Sequence, residues 1–356
     1  MASDAVGVLD EAYQRMHATG PEYEGWLSNH GPMAAEAMAR HGHGDAVGRW
    51  LDGYVKRLEE FPRGSGPIGA DWRGALGDPK RIADWTVYFN QEMTERPWRQ
   101  VLGEWWSRLL PGSAAAATHG IIRVGHAIRA LQADGDDPVH AAELAHGLAY
   151  WAARWQPYPE PAGTAGPAST DTQLALPPDL TPAQALAAVP RLADQSGGFR
   201  ARFARLAALP AWPAAALAGG SPAEISAWLT ELADATVFRY LDIAHGNPVM
   251  LVHSATAPTA ILRSLPALDT ELWAPSAAAA WDAAAALTAI YTPSGPADEP
   301  SPDGSGTMDE VFARAVAHGD EHAIKFADTA ADVYERTGNP AATAAAVRAV
   351  TLIPLP

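Results

Sequence analysis

Thr118-His119-Gly120-Ile121-Ile122-Arg123-Val124-Gly125-His126-Ala127-Ile128-Arg129 is the stretch on which the reading of this chain turns. As a helix it sets His119 and His126 on one face, seven positions apart, with Ile122 and Arg123 between them. Histidines on an apolar helix face either hydrogen-bond carbonyls in a core or hold a metal. Two nitrogens on one metal stand only about 3 Å apart, whereas seven residues of straight helix rise roughly 10 Å. His119 and His126 are therefore not expected to share one ion.

The sequence on either side is helical as well. Apolar residues recur at helical spacing over 3–17, 33–40, 45–58, 114–132 and 137–154, and an aromatic-rich pair of helices is expected between 82 and 110. Downstream, Thr181-Pro182 and Ser221-Pro222-Ala223-Glu224 are helix starts, the second with a capping box. Further helices are expected over 199–209, 223–245, 248–257, 276–291 and 309–337, with a short terminal one from Asn339-Pro340. Residues 22–29 and the Pro/Gly-rich stretch 61–77 are expected as irregular loops, and 156–180 and 292–307 as long surface loops. No segment alternates with period two, so the expected fold is all-α, one multi-helix domain over residues 1–356.

Composition narrows the function classes. Hydrophobic residues make up 48% of the 356, enough to fill a core, and the formal net charge of −16 disfavours a nucleic-acid partner. There is no cysteine, which removes disulfides, thiolate metal sites and Cys nucleophiles. With no signal-like N-terminus and no run of 18 apolar residues, the expectation is a cytoplasmic protein without a membrane span. Oligomeric state is not legible.

Nucleotide and hydrolase motifs are weak. Gly64-Ser65-Gly66-Pro67-Ile68-Gly69 matches G-x-G-x-x-G in letters, but Glu59-Glu60-Phe61-Pro62 is no strand and Pro67 sits inside. No Walker A, G-x-S-x-G or H-E-x-x-H is present. His322 and Lys325, three apart, share a helix face and can share a site. From spacing alone, pairing of Lys325 with Asp320, Glu321 or Asp328 competes with that reading. His318 and His245 are weaker candidates, because Gly319 and Pro248 interrupt their helices; His41 and His43, at a glycine-capped helix end, read as structural.

Six blocks carry a resemblance: Ser28-Asn29-His30-Gly31-Pro32-Met33-Ala34, Trp105-Trp106-Ser107-Arg108-Leu109-Leu110-Pro111-Gly112, Thr118-His119-Gly120 with Gly125-His126, Leu148-Ala149-Tyr150-Trp151-Ala152-Ala153-Arg154, Val252-His253-Ser254-Ala255-Thr256, and His322-Ala323-Ile324-Lys325. In their order, and over nearly the whole chain, they resemble the questin oxidase-like family. The resemblance implies a helical non-haem iron oxygenase that uses Fe(II) and O2 on polycyclic aromatic polyketides such as anthraquinones. It implies oxygen insertion beside a ring carbonyl, or ring cleavage.

Position by position, the resemblance implies His30, His119, His253, His322 and Lys325 as metal ligands. An ammonium has no lone pair, so Lys325 must lose its proton or become carbamylated to bind. Arg123 and His126 are expected behind the metal as groups that meet substrate or support a ligand. Trp85, Tyr150, Trp151 and Trp155 are candidates for stacking the substrate, with core packing as the competing role. The sequence does not decide whether NADPH supplies electrons. A zinc hydrolase on the same histidines, or a helical binding protein without catalysis, stays open at this point.

Overall fold

A computed structural model describes residues 2–159, 176–177, 179–210, 217, 219–297, 302 and 306–356; much of the expected loop 156–180 and part of 292–307 lie outside them. The chain is all-α, with one two-stranded sheet among the described residues. The helices of its first half are α1 (Ala2–His17), α2 (Gly31–Arg40), α3 (Gly44–Tyr54), α4 (Ile82–Glu95), α5 (Trp98–Leu109), α6 (His119–Asp134) and α7 (Pro138–Ala153). Those of the second are α8 (Pro182–Ala188), α9 (Phe199–Phe203), α10 (Pro222–Ile243), α11 (Pro248–Ser264), α12 (Trp273–Tyr291), α13 (Met308–His318), α14 (Glu321–Thr337) and α15 (Pro340–Leu352). Among the described residues no helix is long and apolar enough to cross a membrane.

Three expectations are corrected. Residues 22–29 are not irregular: β1 (Glu22–Tyr23) and β2 (Leu27–Ser28) pair antiparallel, too short to show alternation in sequence. The expected helix 114–132 starts only at His119, because Ala116, Ala117 and Thr118 take left-handed φ of 47°, 56° and 72°. Such torsions cost non-glycine residues of order 1–3 kcal/mol each and persist only where the surroundings impose them. The expected helix 309–337 breaks at Gly319 (φ 86°), and Asp320 caps the new helix by accepting from the His322 and Ala323 amides.

α11 is central, packed against α6, α10, α12 and α14, while α2 lies against α6 and α14. Glycine permits the closest of these approaches. A Cβ on Gly125 would stand 2.6 Å from the Ala260 Cβ, and one on Gly120 would stand 2.8 Å from the Trp151 Cα. α6 can therefore be pressed between α7 and α11 only with glycine at these positions.

A buried ionic clamp ties the same helices together. Glu36 of α2 accepts from Arg129 of α6 (2.8 Å) and faces His126 Nδ1 (2.7 Å). Arg129 in turn reaches Asp328 of α14 (3.0 Å), which also meets Arg263 of α11 (2.8 Å) and His41 (3.0 Å). A second pair, Arg123 with Glu143, joins α6 to α7 through two bonds of 2.6 and 2.8 Å. Buried charges survive where each has a hydrogen-bonded partner of opposite sign, as here.

Candidate metal centre

Four helix starts bring four histidines to one point. His30 is the N-cap of α2, His119 the first residue of α6, His322 the second of α14, and His253 lies in the second turn of α11. One ring nitrogen from each lies within 4.8 Å of the others, and all four side chains are buried. The Nε2 atoms of His30 and His119 stand 2.6 Å apart, and those of His119 and His253 2.9 Å apart. Ligands at right angles on a metal, with bonds of about 2.1 Å, stand about 3.0 Å apart.

The outer nitrogens fix the tautomers. His119 Nδ1 bonds the Ala116 carbonyl, the group that the left-handed turn at 116–118 presents, and His253 Nδ1 faces the Met250 carbonyl at 3.2 Å. Carbonyls only accept, so each Nδ1 carries the proton and each Nε2 of a neutral ring offers a lone pair. Burial, then the Lys325 charge, hold His119 well below the usual histidine range; burial, then His119 and Lys325, do the same for His253. Two lone pairs thus face each other at 2.9 Å, an arrangement that a cation between them relieves. For His30, burial first and Lys325 second lower its proton affinity, and its Nδ1 lies 3.7 Å from the Glu321 carboxylate with no hydrogen bond. His322 Nδ1 is 3.3 Å from Asp320 Oδ1, which leaves Nε2 as its free nitrogen. Carboxylates behind imidazoles are the usual support of metal-binding histidines.

Lys325 is fully buried and its Nζ has no hydrogen-bond partner. The carboxylates that sequence spacing offered it are engaged elsewhere: Asp328 in the clamp, Glu321 with Arg57 and Tyr23, Asp320 at the helix cap. Burial pushes its amine down to about 7, against the opposing pull of Glu321 and Asp320. An orphaned buried amine on α14, three residues beyond His322, together with the converging imidazole lone pairs, fits a metal of the kind that takes nitrogen donors.

The four histidines line a cavity of about 710 Å³, within the usual range of small-molecule sites. Its other walls include Trp26, Leu27 and Ser28 from the hairpin, Trp155, Phe199 and Phe203, Met250 and Tyr291. The structure redistributes the remaining candidates. Arg123 and His126 do not line the cavity: Arg123 is held in its buried ion pair with Glu143 and His126 in a buried hydrogen bond with Glu36, since their helix face turns towards α7 and α2. Trp85 packs on Phe89 and Trp105 and donates to the Ala75 carbonyl, so it is core. Trp151 packs on Trp106 and donates to the Gly112 carbonyl. Tyr150 lies behind the wall, bonding Ser28 and Glu22 (2.6 and 3.1 Å). Of these aromatics only Trp155 lines the cavity. Sequence reasoning missed Phe199, Phe203, Tyr291 and Arg154, which reach it from separate elements.

Compared with known proteins, the chain matches no protein-family model and no curated protein.

Proposed function

We propose that this chain is a non-haem iron oxygenase that oxidises a polycyclic aromatic polyketide of the anthraquinone type, inserting oxygen beside a ring carbonyl or cleaving a ring C–C bond. The observation that carries the reading is the convergence of His30, His119, His253 and His322 on one point of an aromatic-walled cavity, with the partnerless amine of Lys325 buried among their helices. The six sequence blocks that resemble questin oxidase-like proteins support iron as the metal. Iron held by these side chains would supply the activation of dioxygen, which no side chain here can perform.

The chain's own residues do the rest. Phe199, Phe203, Tyr291 and Trp155 offer faces to a planar ring system and keep water from it. Arg154, which pairs with Glu22 and lines the cavity, can orient a ring hydroxyl in its deprotonated form. Four neutral imidazoles bring no negative charge to a metal. Lys325, losing a proton and adding carbon dioxide as a carbamate, would supply it. Asp320 holds the His322 ring in orientation, and the Glu321 carboxylate stands 3.7 Å behind His30.

The test is elemental analysis of tag-free protein after anaerobic iron loading, followed by oxygen uptake with a hydroxyanthraquinone. Stoichiometric iron and ferrous-dependent uptake are expected. Full activity with zinc, or no metal above trace after loading, overturns the reading.

A further inference from the structure

In a chain with a formal charge of −16, the charged side chains that line the cavity among the described residues are two arginines, with no Asp or Glu; the histidines there are neutral lone-pair donors, and the Asp320 and Glu321 carboxylates lie behind the His322 and His30 rings. Arg154 has one nitrogen on Glu22, but its Nε is buried and without a partner. Arg200, on α9, is exposed at the cavity and forms no ion pair with the described residues. The backbone adds the same sign. α2, α6 and α11 begin at this cavity, where His30 and Asn247 are N-caps and His119 sits in a first turn, whereas the amides that open α14 are already met by the Asp320 carboxylate. Each helix N-terminus carries about half a positive charge from its unpaired amides. A metal would add more. Around this positive end the walls are apolar and aromatic, so a neutral hydrocarbon would leave the cationic groups unanswered, and a small hydrophilic anion would leave the aromatic walls unfilled.

We propose that the ligand of this cavity is an aromatic anion, a planar ring system bearing a carboxylate or an ionised hydroxyl, and that Arg200 is the residue that selects for its charge. This deepens the reading under Proposed function and rests on it for the ring system alone. Arg200 is assigned the selection because it forms no ion pair among the described residues, whereas Arg154 is paired with Glu22. The Arg154 Nε–H is left to donate a hydrogen bond to one further oxygen.

Binding to the metal-free full chain tests this, because it needs no turnover. Three probes are titrated by calorimetry: anthraquinone-2-carboxylate, its neutral carboxamide, and 2-hydroxyanthraquinone. The carboxylate is expected to bind about tenfold tighter than the amide at low salt, a preference that shrinks in 1 M salt as exposed charge is screened. In Arg200→Gln, a surface change that leaves the core untouched, carboxylate and amide should bind within about threefold of each other. Affinity of the hydroxy compound that rises as its hydroxyl ionises identifies a phenolate as a sufficient charge; flat affinity restricts the class to carboxylates. Equal binding of acid and amide by the native chain overturns the inference while leaving an aromatic cavity. Failure of all three probes to bind overturns the aromatic substrate reading as well.

Discussion

The Nε2 atoms of His119 and His253 face each other across 2.9 Å although 134 positions separate the two residues in the chain. Both rings have their other nitrogen on a backbone carbonyl, so both point lone pairs at the same place.

Metal content should depend on the converging donors and not on other histidines. His119→Ala and His253→Ala are expected to lower bound metal at least tenfold, and His30→Ala, His322→Ala and Lys325→Ala to deplete it as well. His41→Ala and His43→Ala should retain it, because His41 serves the clamp and His43 lies against Phe312. Mass spectrometric metal analysis after identical loading decides; metal retained in the first group refutes the assignment.

Gly125 should be as sensitive as a ligand. A Cβ there meets Ala260 at 2.6 Å, so Gly125→Ala must push α6 away from α11 and with it His119 from His253. A loss of about 1–3 kcal/mol in stability and a weaker metal affinity are expected. The pair Gly125→Ala with Ala260→Gly should recover both, read by urea unfolding and metal titration; no recovery would show that this contact does not set the spacing.

Acid should unfold the protein through its buried carboxylates. Burial alone would raise Glu143, but the Arg123 charge and hydrogen bonds, with help from His17, pull it from 4.5 down to about 2. Glu36 is lowered in the same sense, with burial opposed mainly by Arg129 and His126. A carboxylate with a folded value below its unfolded one stabilises above about pH 4.5, and that contribution drains away as pH falls towards 2. For Glu143 it amounts to about 3 kcal/mol. Unfolding free energies measured from pH 7 to 3 should fall, and the fall should be shallower in Glu143→Gln.

The clamp should matter for stability more than for chemistry. Asp328→Asn leaves Arg129 and Arg263 without their shared counter-charge in the interior, which costs about 3–5 kcal/mol. At a temperature where the variant is still folded, its metal stoichiometry should match the native chain, since Asp328 bonds no member of the histidine cluster. A native-like melting temperature would sink this account.

The one expected aromatic contact that lines the cavity can be separated from those in the core. Trp155→Leu should weaken binding of a polycyclic aromatic probe about tenfold. Trp85→Phe should leave that affinity unchanged, because Trp85 is enclosed by Phe89 and Trp105. Quenching of tryptophan fluorescence by the probe reports both.

The sequence by itself determined the all-α class and most helix positions, because periodicity, caps and prolines act between residues a few positions apart. It also determined that His119 and His126 cannot bind one ion, since the helical rise alone separates them. Helical spacing showed that His322 and Lys325 can share a site, and family resemblance made them expected ligands together with His30 and His253. Only the tertiary structure decided that helix starts far apart in the chain meet at one cavity, that Lys325 is buried without a partner, and that Arg123 and His126 bond carboxylates behind the site. It also decided where local preference yields: the alanines before His119 are good helix formers, yet they adopt left-handed torsions that present a carbonyl to the His119 ring. Such outcomes depend on which faces pack together, through glycine contacts and buried charges contributed by distant segments. No local pattern carries that information.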